Sequence, residues 1–323
     1  MKVFYPLYYK DFRCIAEKCT HSCCVGWEIS VDSDTMEKYK NSGREDILCH
    51  IEDEVICLSE GDRCPFLRAD GLCRIIAELG DEYTSLICRE HPRFYHKTGD
   101  RVEGGIGLSC EEAARLILSS DNYDVFCEIE HTPDIAEETD FDSLSHREEI
   151  YRVLKSEAMD FAEKLGLIKA KYSLEIDIHT PEEWAEILTQ LEYLDEGHRG
   201  IFSPGKGRGE YGEIYERFLA YLIFRHLSTS ENYDNLRARL GFCLLMCSLL
   251  EGYTAEGGRS FAEICEFARV ISEELEYSED NTAEIIFEFE ATGNTFNGDN
   301  AVAFNIGNTT LTESDNINNT KRA

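Results

Sequence analysis

The chain has 323 residues, of which 42% are hydrophobic, and its 32 basic against 64 acidic side chains give a formal net charge of −32. Such an excess of negative charge would repel a phosphate backbone, which excludes nucleic acid as a favoured partner. No run of the sequence reaches the roughly 18 apolar residues of a membrane span, and the first residues lack the apolar stretch of a signal peptide. We therefore expect a cytoplasmic protein that does not enter a membrane.

The first 130 residues combine many cysteines with short predicted elements. Alternation of apolar and polar residues predicts a strand at 26–32, and a helix is predicted from 33 to 43. Apolar residues at helical spacing predict a further helix within 71–83. Two glutamates in a first turn favour a helix at 110–120. This part of the chain is therefore expected to be loop-rich, with only short regular elements.

From residue 146 to about 277 the apolar pattern is helical almost throughout. A proline followed by two glutamates, residues 181–183, marks one helix start. Ser145 with Glu148 three residues later matches the capping box at another. The pattern predicts an antiparallel bundle of five or six helices. The predicted fold class is mainly α, with a small, loop-rich, cysteine-cluster metal-binding N-terminal domain and a C-terminal helical bundle.

Composition suggests three parts of the chain. We expect a cysteine-rich metal-binding domain at 1–130 and a helical domain at 146–280, with the acidic and polar residues 131–145 between them. Residues 294–319 hold eight asparagines, against five in all the preceding residues. The tail at 281–323 is accordingly predicted to be disordered and unrelated to the chemistry.

Cysteine is the most informative residue type in this sequence. Four cysteines lie within residues 14–24, and two of them are adjacent. Four more stand at turns or helix starts. In a reducing compartment such clusters indicate metal binding or catalysis more often than disulfides. The predicted metal ligands are Cys14, Cys19, Cys23, Cys24, Cys64, Cys73, Cys88 and Cys110.

Eight thiols could serve one four-iron cluster with spares, two centres, or a cluster plus zinc; the alternative is reduced structural cysteines. Adjacent side chains are expected to diverge, so Cys23 and Cys24 suit a polynuclear centre or two centres better than one zinc ion. We therefore expect iron–sulfur rather than zinc. Six further cysteines are left out, three for want of turn residues around them and three as apolar core residues: Cys49, Cys57 and Cys127, and Cys243, Cys247 and Cys265.

Three cysteine-bearing segments, 5–32, 64–94 and 108–118, together with the helical segment 218–227, resemble the bacterial flagellin lysine-N-methylase family. They are also similar to smaller CxxCxxCC-type proteins thought to chelate zinc or iron. The resemblance implies methyl transfer from S-adenosylmethionine to lysines of flagellin or a similar surface protein. It implies a metal-binding role for each of the eight cysteines. The asparagine-rich tail does not match the family.

Methyl transfer to lysine requires loss of the ammonium proton and a slot that removes the amine from water. Tyr5, Tyr8 and Tyr9 offer aromatic faces for that slot, and Tyr9 is the predicted catalytic residue, with packing against the metal centre as the alternative. Arg89 and Arg93 could grip a carboxylate of the cofactor or offset an anionic cluster, and a structural ion pair is the alternative. The glycines of 103–110 are interpreted as a turn. Because no strand precedes a G-x-G-x-x-G motif, the position of the cofactor is not assigned.

Two further residues near the cysteines have less specific interpretations. His91, before a proline, is interpreted as a turn residue, and Trp27 as an apolar lid over the metal centre.

The alternative function is a metal-binding or electron-transfer module that docks a protein partner through its helical half. A redox-sensing regulator is a third hypothesis, which the acidic composition makes a poor candidate for binding DNA.

Overall fold

Helices dominate the computed structural model, which describes residues 1–133, 135, 137–174 and 178–292. The predicted class, mainly α, is confirmed, and a small mixed sheet accompanies the helices. The α-helices of the described part are α1 (Ser33–Asn41), α2 (Glu45–Leu48), α3 (Arg74–Leu79), α4 (Leu86–Glu90), α5 (Glu111–Ser119), α6 (Ser143–Leu154), α7 (Phe161–Tyr172), α8 (Pro181–Gln190), α9 (Gly212–Leu227), α10 (Tyr233–Thr254), α11 (Phe261–Ile271) and α12 (Glu279–Thr292). None of the helices in these described ranges is long and apolar enough to cross a membrane.

The strands form one five-stranded sheet and one small hairpin. They are β1 (Lys2–Pro6), β2 (Ile51–Glu52), β3 (Val55–Ile56), β4 (Arg93–Thr98), β5 (Arg101–Ile106), β6 (Phe126–Glu130) and β7 (Glu137–Thr139). The large sheet has the order β6-β1-β5-β4-β7, in which β1 is parallel to β5 and antiparallel to β6. β4 is antiparallel to β5 and parallel to β7. The sheet therefore gathers strands from both sides of the cysteine-rich segments.

The first half of the glycine-rich stretch, residues 103–106, lies in a central strand, so its interpretation as a turn is wrong there. Gly104 and Gly105 lie in β5, between β1 and β4. A Cβ on Gly104 would lie 2.5 Å from the ring of Tyr5, and one on Gly105 would lie 2.4 Å from Phe94 and 2.8 Å from Phe224. Glycine is required here because aromatic rings press on both faces of the strand.

The predicted N-terminal elements are partly confirmed. Helices α1 and α5 start where the sequence indicates, and α3 occupies the middle of 71–83. Residues 26–32 are not a strand of a sheet, because their backbone makes only a short pairing with β3, centred on the bridge between Ser30 and Val55. This segment is extended with Ile29 and Val31 buried, which explains its alternating pattern.

Within the described residues, the helical half contains six α-helices, α6 to α11, between residues 143 and 271, which agrees with the predicted number of five or six. The predicted cap Ser145 is wrong, because α6 begins at Ser143 and the carboxylate of Asp142 accepts from the Ser145 backbone N–H at 3.3 Å. A carboxylate caps a helix as well as a hydroxyl does, and here it starts the helix three residues earlier. Thr180 and Glu183 form a full capping box at the start of α8.

The buried apolar residues form three clusters, and the smallest of these lies within the sheet: Val3, Tyr5, Tyr95 and Val102. The main core runs from Tyr8 in the N-terminal segment to Phe289 in α12, and it includes Ile106 at the end of β5 and the apolar residues of α5 as well as the helical half. The N-terminal core is a much smaller set, formed by Ile29, Val31, Tyr39, Ile47, Ile56, Cys64, Phe66 and Ile75. Residues 14–90, called the N-terminal region below, thus pack largely among themselves, whereas α5 belongs with the helical half.

A buried ion pair joins the sheet to the helices. The carboxylate of Glu103 in β5 accepts two hydrogen bonds from the guanidinium of Arg147 in α6, at 2.6 and 2.7 Å, and both side chains are almost fully buried. His96 Nε2 lies 3.1 Å from the same carboxylate. Burial alone would raise the pKa of Glu103, but the charge and hydrogen bonds of Arg147 and His96 hold it below the ordinary value.

The end of the chain differs from the expected tail in its first residues. Helix α12 runs to Thr292, so it crosses the expected boundary at residue 280 and packs Ile285 and Phe289 into the main core. Apolar residues recur at helical spacing in this segment, which explains why it remains a helix. The asparagine-rich segment 294–319 lies outside the described residues.

Candidate metal centre

The eight predicted ligand thiols gather into two groups of four. Within each group the thiols lie close enough for their charges to act on one another. The first thiol group is Cys14, Cys19, Cys23 and Cys110. The second thiol group is Cys24, Cys64, Cys73 and Cys88. Positions up to 96 residues apart in sequence are thus brought together as the sequence analysis expected.

Two paired backbone segments hold three members of the second thiol group. The Cys64 backbone N–H donates to the Cys24 carbonyl at 2.9 Å, beside a β-bridge between Val25 and Arg63. Cys73 then faces Leu67 across a tight turn. These backbone contacts bring Cys24, Cys64 and Cys73 into the N-terminal core before any metal is considered.

Helix N-termini and a serine hydroxyl lie beside three of the thiols. Cys73 and Cys110 are the N-cap residues of α3 and α5, so that each sulfur lies near the backbone N–H groups of the first turn of its helix. Burial raises the pKa of both thiols, and these backbone N–H groups oppose that rise. Cys88 lies in α4, where the Ser85 hydroxyl donates to its sulfur at 3.2 Å. Backbone and hydroxyl donors of this kind stabilise thiolates, which are the form that binds a metal.

Glu111 fastens the cysteine loop to α5. Its carboxylate accepts from the Thr20 backbone N–H at 2.7 Å, from the Thr20 hydroxyl at 2.8 Å and from the His21 backbone N–H at 3.2 Å. The Cys19 thiol lies 3.4 Å from the same oxygen. Because Glu111 directly follows Cys110, these contacts place Cys19 and Cys110 next to each other in the first thiol group.

The two groups meet at the adjacent cysteines. The thiols of Cys23 and Cys24 are in contact close enough to shift each other's pKa, and the expectation that the two side chains point apart stays a prediction. The Cys23 thiol, more than any other group, lowers the pKa of Cys24, while the Cys24 thiol and burial raise the pKa of Cys23. Beyond this contact each thiol faces its own group, Cys23 toward Cys14 and Cys110 and Cys24 toward the N-terminal core.

The donor set fits a thiophilic metal centre. Four thiols per group is the number that a closed zinc site or a four-iron cluster uses. Among the described residues, no three of the thiols have sulfurs that all lie within 4.8 Å of one another. The sulfurs of a tetrahedral zinc site, at about 2.3 Å from the metal, would be closer than that. The buried hydroxyl of Tyr39, near Cys73 and Cys88, has no hydrogen-bond partner and could donate to a thiolate there.

A segment that sequence reasoning missed lies beside the first thiol group. Residues Ser272–Glu276 form a π-helical turn whose three glutamate side chains are buried. Glu273 Oε1 lies 2.6 Å from His21 Nε2, in the loop between two ligand cysteines, and Glu273 Oε2 lies 2.8 Å from a guanidinium nitrogen of Arg269. Single π-turns inside helices are frequent at functional sites. In the sequence these residues show only as an acidic helix end, which gave no signal of burial.

The other two glutamates of the π-turn hold neighbouring elements. Glu274 accepts from the Leu194 backbone N–H at 2.7 Å and lies 2.6 Å from His198 Nδ1. Glu276 accepts from Tyr221 at 2.8 Å and pairs with Arg225 at 3.2 Å. His198, Glu273 and Glu274 are close enough to hold a metal ion, but protein donors already occupy their oxygens. This acidic turn is therefore a structural junction next to the first thiol group.

Arg93 contacts both of the other predicted catalytic residues, Tyr9 and Arg89. Arg93 Nε donates to the Tyr9 hydroxyl at 2.8 Å, and a second guanidinium nitrogen of Arg93 donates to the Arg89 carbonyl at 3.2 Å. The Arg89 side chain donates instead to the carbonyl of Thr84 in the loop before α4. Tyr9 stacks on Tyr5 with ring centroids 4.0 Å apart. The arrangement fixes the Arg93 guanidinium, and participation of these residues in a reaction stays a prediction.

Trp27, which follows the adjacent cysteines in the chain, lies beside two other aromatic rings. The Trp27 ring lies 5.4 Å from that of Tyr277 and 6.5 Å from that of His91. Burial, and to a smaller extent the charge of Arg93, lowers the pKa of His91 to about 4. All three rings are half-buried. They lie between the N-terminal region and the π-turn, and the role of Trp27 as a lid over a metal centre stays a prediction.

The cysteines excluded by the sequence analysis lie away from these groups. The three expected core cysteines are buried in the main core, which confirms their interpretation: Cys243, Cys247 and Cys265. Cys49 and Cys57 are exposed, and Cys127 lies in β6.

Sequence comparison finds relatives of this chain among known proteins. The chain is 30% identical to the flagellar biosynthetic protein FliU of Salmonella muenchen over 127 aligned residues, which cover 35% of this chain and 75% of FliU. It has the same identity over the same length to proteins named lysine-N-methylase from Salmonella typhimurium and Salmonella choleraesuis, where the match covers 32% of each relative. The match thus spans about a third of the length of the lysine-N-methylases. No family model matches the chain, and no solved structure matches it.

Proposed function

The chain belongs to the flagellin lysine-N-methylase family, and we propose that it transfers methyl groups from S-adenosylmethionine to lysine side chains of flagellin or a similar surface protein. The observation that carries this proposal is the 30% identity to FliU over three quarters of that protein, together with the same identity to two lysine-N-methylases. An acidic chain also suits a lysine-bearing substrate, since opposite charges speed the encounter.

The chemistry sets the requirements for such a site. The neutral ε-amine of lysine attacks the methyl carbon of the sulfonium, so that a C–N bond forms while the C–S bond breaks. The thioether leaves, and the proton of the amine passes to a base or to water. The protein must therefore hold the cofactor by its charged ends and exclude water from the amine.

Tyr9 and Arg93 are the residues we assign to holding the cofactor. A guanidinium fixed by the Tyr9 hydroxyl and the Arg89 carbonyl is preorganised to bind a carboxylate such as that of S-adenosylmethionine. Arg89 contributes through its backbone in this arrangement, because its side chain is engaged with Thr84. The half-buried rings of Trp27 and Tyr277 lie 5.4 Å apart and would shield the amine from water.

We further propose that the cysteines hold iron–sulfur rather than zinc. Sulfurs spaced more widely than one tetrahedral ion requires suit a polynuclear centre, in which each thiolate binds a different iron. When bound, such a centre supplies a redox-active, anionic group. The structural task of the chain is to orient the thiolates through helix starts and the loop held by Glu111.

A metal-binding or electron-transfer module that docks a protein partner remains the second candidate. One observation favours it: the first half of the glycine-rich stretch lies in strand β5. The ring of Tyr5 packs against Gly104, and the rings of Phe94 and Phe224 pack against Gly105. That stretch therefore offers no phosphate or nucleotide cradle. A module of this kind would bind metal without modifying lysine.

Mass spectrometry of flagellin separates the two candidates. Purified, metal-loaded protein is incubated with flagellin and S-adenosylmethionine carrying a heavy-isotope methyl group. Methylation gives flagellin peptides with labelled methyl groups on lysine. Arg93→Met should reduce the label at least tenfold, while Arg68→Met, at an exposed arginine paired with Asp70, should retain it. Unlabelled flagellin in the presence of folded, metal-loaded protein would reject methyl transfer and leave the second candidate.

A further inference from the structure

We infer that the chain carries two separate four-thiol metal centres, one built into the N-terminal core and one at the seam between the N-terminal region and the helical half. This inference deepens the proposed function, because it rests on metal binding by the same cysteines. The second thiol group (Cys24, Cys64, Cys73 and Cys88) would form the centre in the N-terminal core. The first thiol group (Cys14, Cys19, Cys23 and Cys110) would form the centre at the seam.

The second thiol group belongs to the N-terminal core. Cys64 is buried in that core, and Cys24 and Cys73 pack against it. The backbone hydrogen bond from Cys64 to Cys24 and the bridge between Leu67 and Cys73 bring these three positions together independently of any metal. Cys88 is attached from α4, whose Leu86 backbone N–H donates to the Asp32 carboxylate at 2.7 Å. A metal centre bound here would join four short segments of the chain that have few apolar contacts with one another.

The first thiol group is anchored to the other core. Cys110 caps α5 and packs against the main core. Glu111 binds the loop that carries Cys19, and the Glu273 carboxylate in the π-turn binds His21 of the same loop at 2.6 Å. Both anchors come from the helical half. A centre here would therefore join the N-terminal region to the helices, rather than hold the region itself together.

The adjacent cysteines explain how two centres can lie side by side. Cys23 belongs to the first group and Cys24 to the second, so one peptide unit connects the two. A single four-iron cluster or one zinc ion uses four thiolates, which would leave four of these eight thiols without a metal. Two sets of four leave no spare. The CC pair in the sequence is thus the sign of a junction between centres.

Metal content of two paired variants tests this inference. Protein purified without oxygen is analysed for iron, zinc and acid-labile sulfide per chain, together with its visible absorption spectrum. C14S/C110S, in the first group, should retain half of the wild-type metal, and C64S/C73S, in the second group, should retain the other half. The control C49S/C57S, at two exposed cysteines outside both groups, should retain all of it.

The C14S/C110S variant is the more decisive arm, because its second group lies inside an intact N-terminal core. Complete loss of metal from this variant, while its circular dichroism keeps the wild-type helix content, would mean one shared centre and would overturn the inference. So would a wild-type content equal to a single four-iron cluster or a single zinc ion. Either result would leave lysine methylation intact, whereas unlabelled flagellin with two metal centres present would reject methylation alone.

Discussion

The N-terminal region and the helical half are stabilised in different ways. Among the described residues, the N-terminal core contains eight buried residues, whereas the main core contains fifty-one. A core of eight residues removes too little apolar surface from water to offset the conformational entropy of a region of this size. The region also holds seven of the eight ligand cysteines. We therefore expect metal to take the place of apolar burial where the chain is rich in loops.

The largest effect should come from a ligand of the second thiol group. Cys73→Ser removes a thiolate from the N-terminal core, and since structural metal binding contributes on the order of 10 kcal/mol, that core should unfold, while the loop 14–23 stays attached to α5 and the π-turn. Limited proteolysis should then cleave within residues 29–75 while the helical half resists. Cys57→Ser, at an exposed cysteine, should leave the cleavage pattern unchanged. Equal resistance of both variants would show that apolar packing alone holds the region.

A change in the helical half should lower stability without releasing metal. Glu103→Gln leaves the buried guanidinium of Arg147 without its charge partner, which should lower the free energy of unfolding by about 3–5 kcal/mol. Denaturant unfolding followed by circular dichroism measures the loss. Glu128→Gln removes an exposed carboxylate paired with Lys2 and should cost less than about 1 kcal/mol. Loss of metal from Glu103→Gln would break the proposed independence of the two regions.

Acid should weaken the junction between the π-turn and α9. Burial alone would raise the pKa of Glu276, but Arg225 and His226 lower it to about 2 from an ordinary value of 4.5. A carboxyl whose pKa is lower in the folded protein contributes stability above pH 4.5 and loses it as the pH falls toward 2. We expect about 3 kcal/mol of stability to disappear across that window. The Glu276→Gln variant should be less stable at neutral pH and show a shallower decline over the same range.

The smallest effect should come from the link between the two regions. Glu273→Gln weakens the contact with His21 and should cost about 1–3 kcal/mol, because a hydrogen bond to a charged group is lost. Its more specific consequence is a changed absorption or electron paramagnetic resonance spectrum of the centre in the first thiol group. Glu284→Gln, on α12 away from both groups, should leave that spectrum unaltered. An unchanged spectrum in Glu273→Gln would mean that the π-turn does not position the centre.

Sequence spacing was enough to select eight thiols that the structure brings together, and to predict most helices. Short spacings, turn residues and helix starts identify thiols that can reach a common point, which is why Cys64, Cys73 and Cys110 could be selected. The division of the eight into two groups could not be read from spacing. It depends on long-range packing, such as the seating of Cys110 against the main core.

Burial of charged residues was the feature that sequence reasoning could not reach. Glu273 and Glu276 look like the solvated end of a helix, yet each has a buried partner supplied by a distant element, such as His21 or Arg225. Gly104 and Gly105 were likewise interpreted as a turn, because the rings that press on β5 come from other parts of the chain. In each case the deciding contact is tertiary and leaves no local pattern.

Hydrogen–deuterium exchange of the full chain, with metal and after its removal by a chelator, tests most directly whether metal holds the N-terminal region. The amides to follow there are those of Val31, Ile56 and Cys64, which donate to backbone carbonyls of neighbouring loop segments. Metal removal should expose these amides to exchange at least a hundredfold faster, while those of α9 and α10 keep their protection. Unchanged protection in the N-terminal region, or equal loss in α9 and α10, would contradict the account.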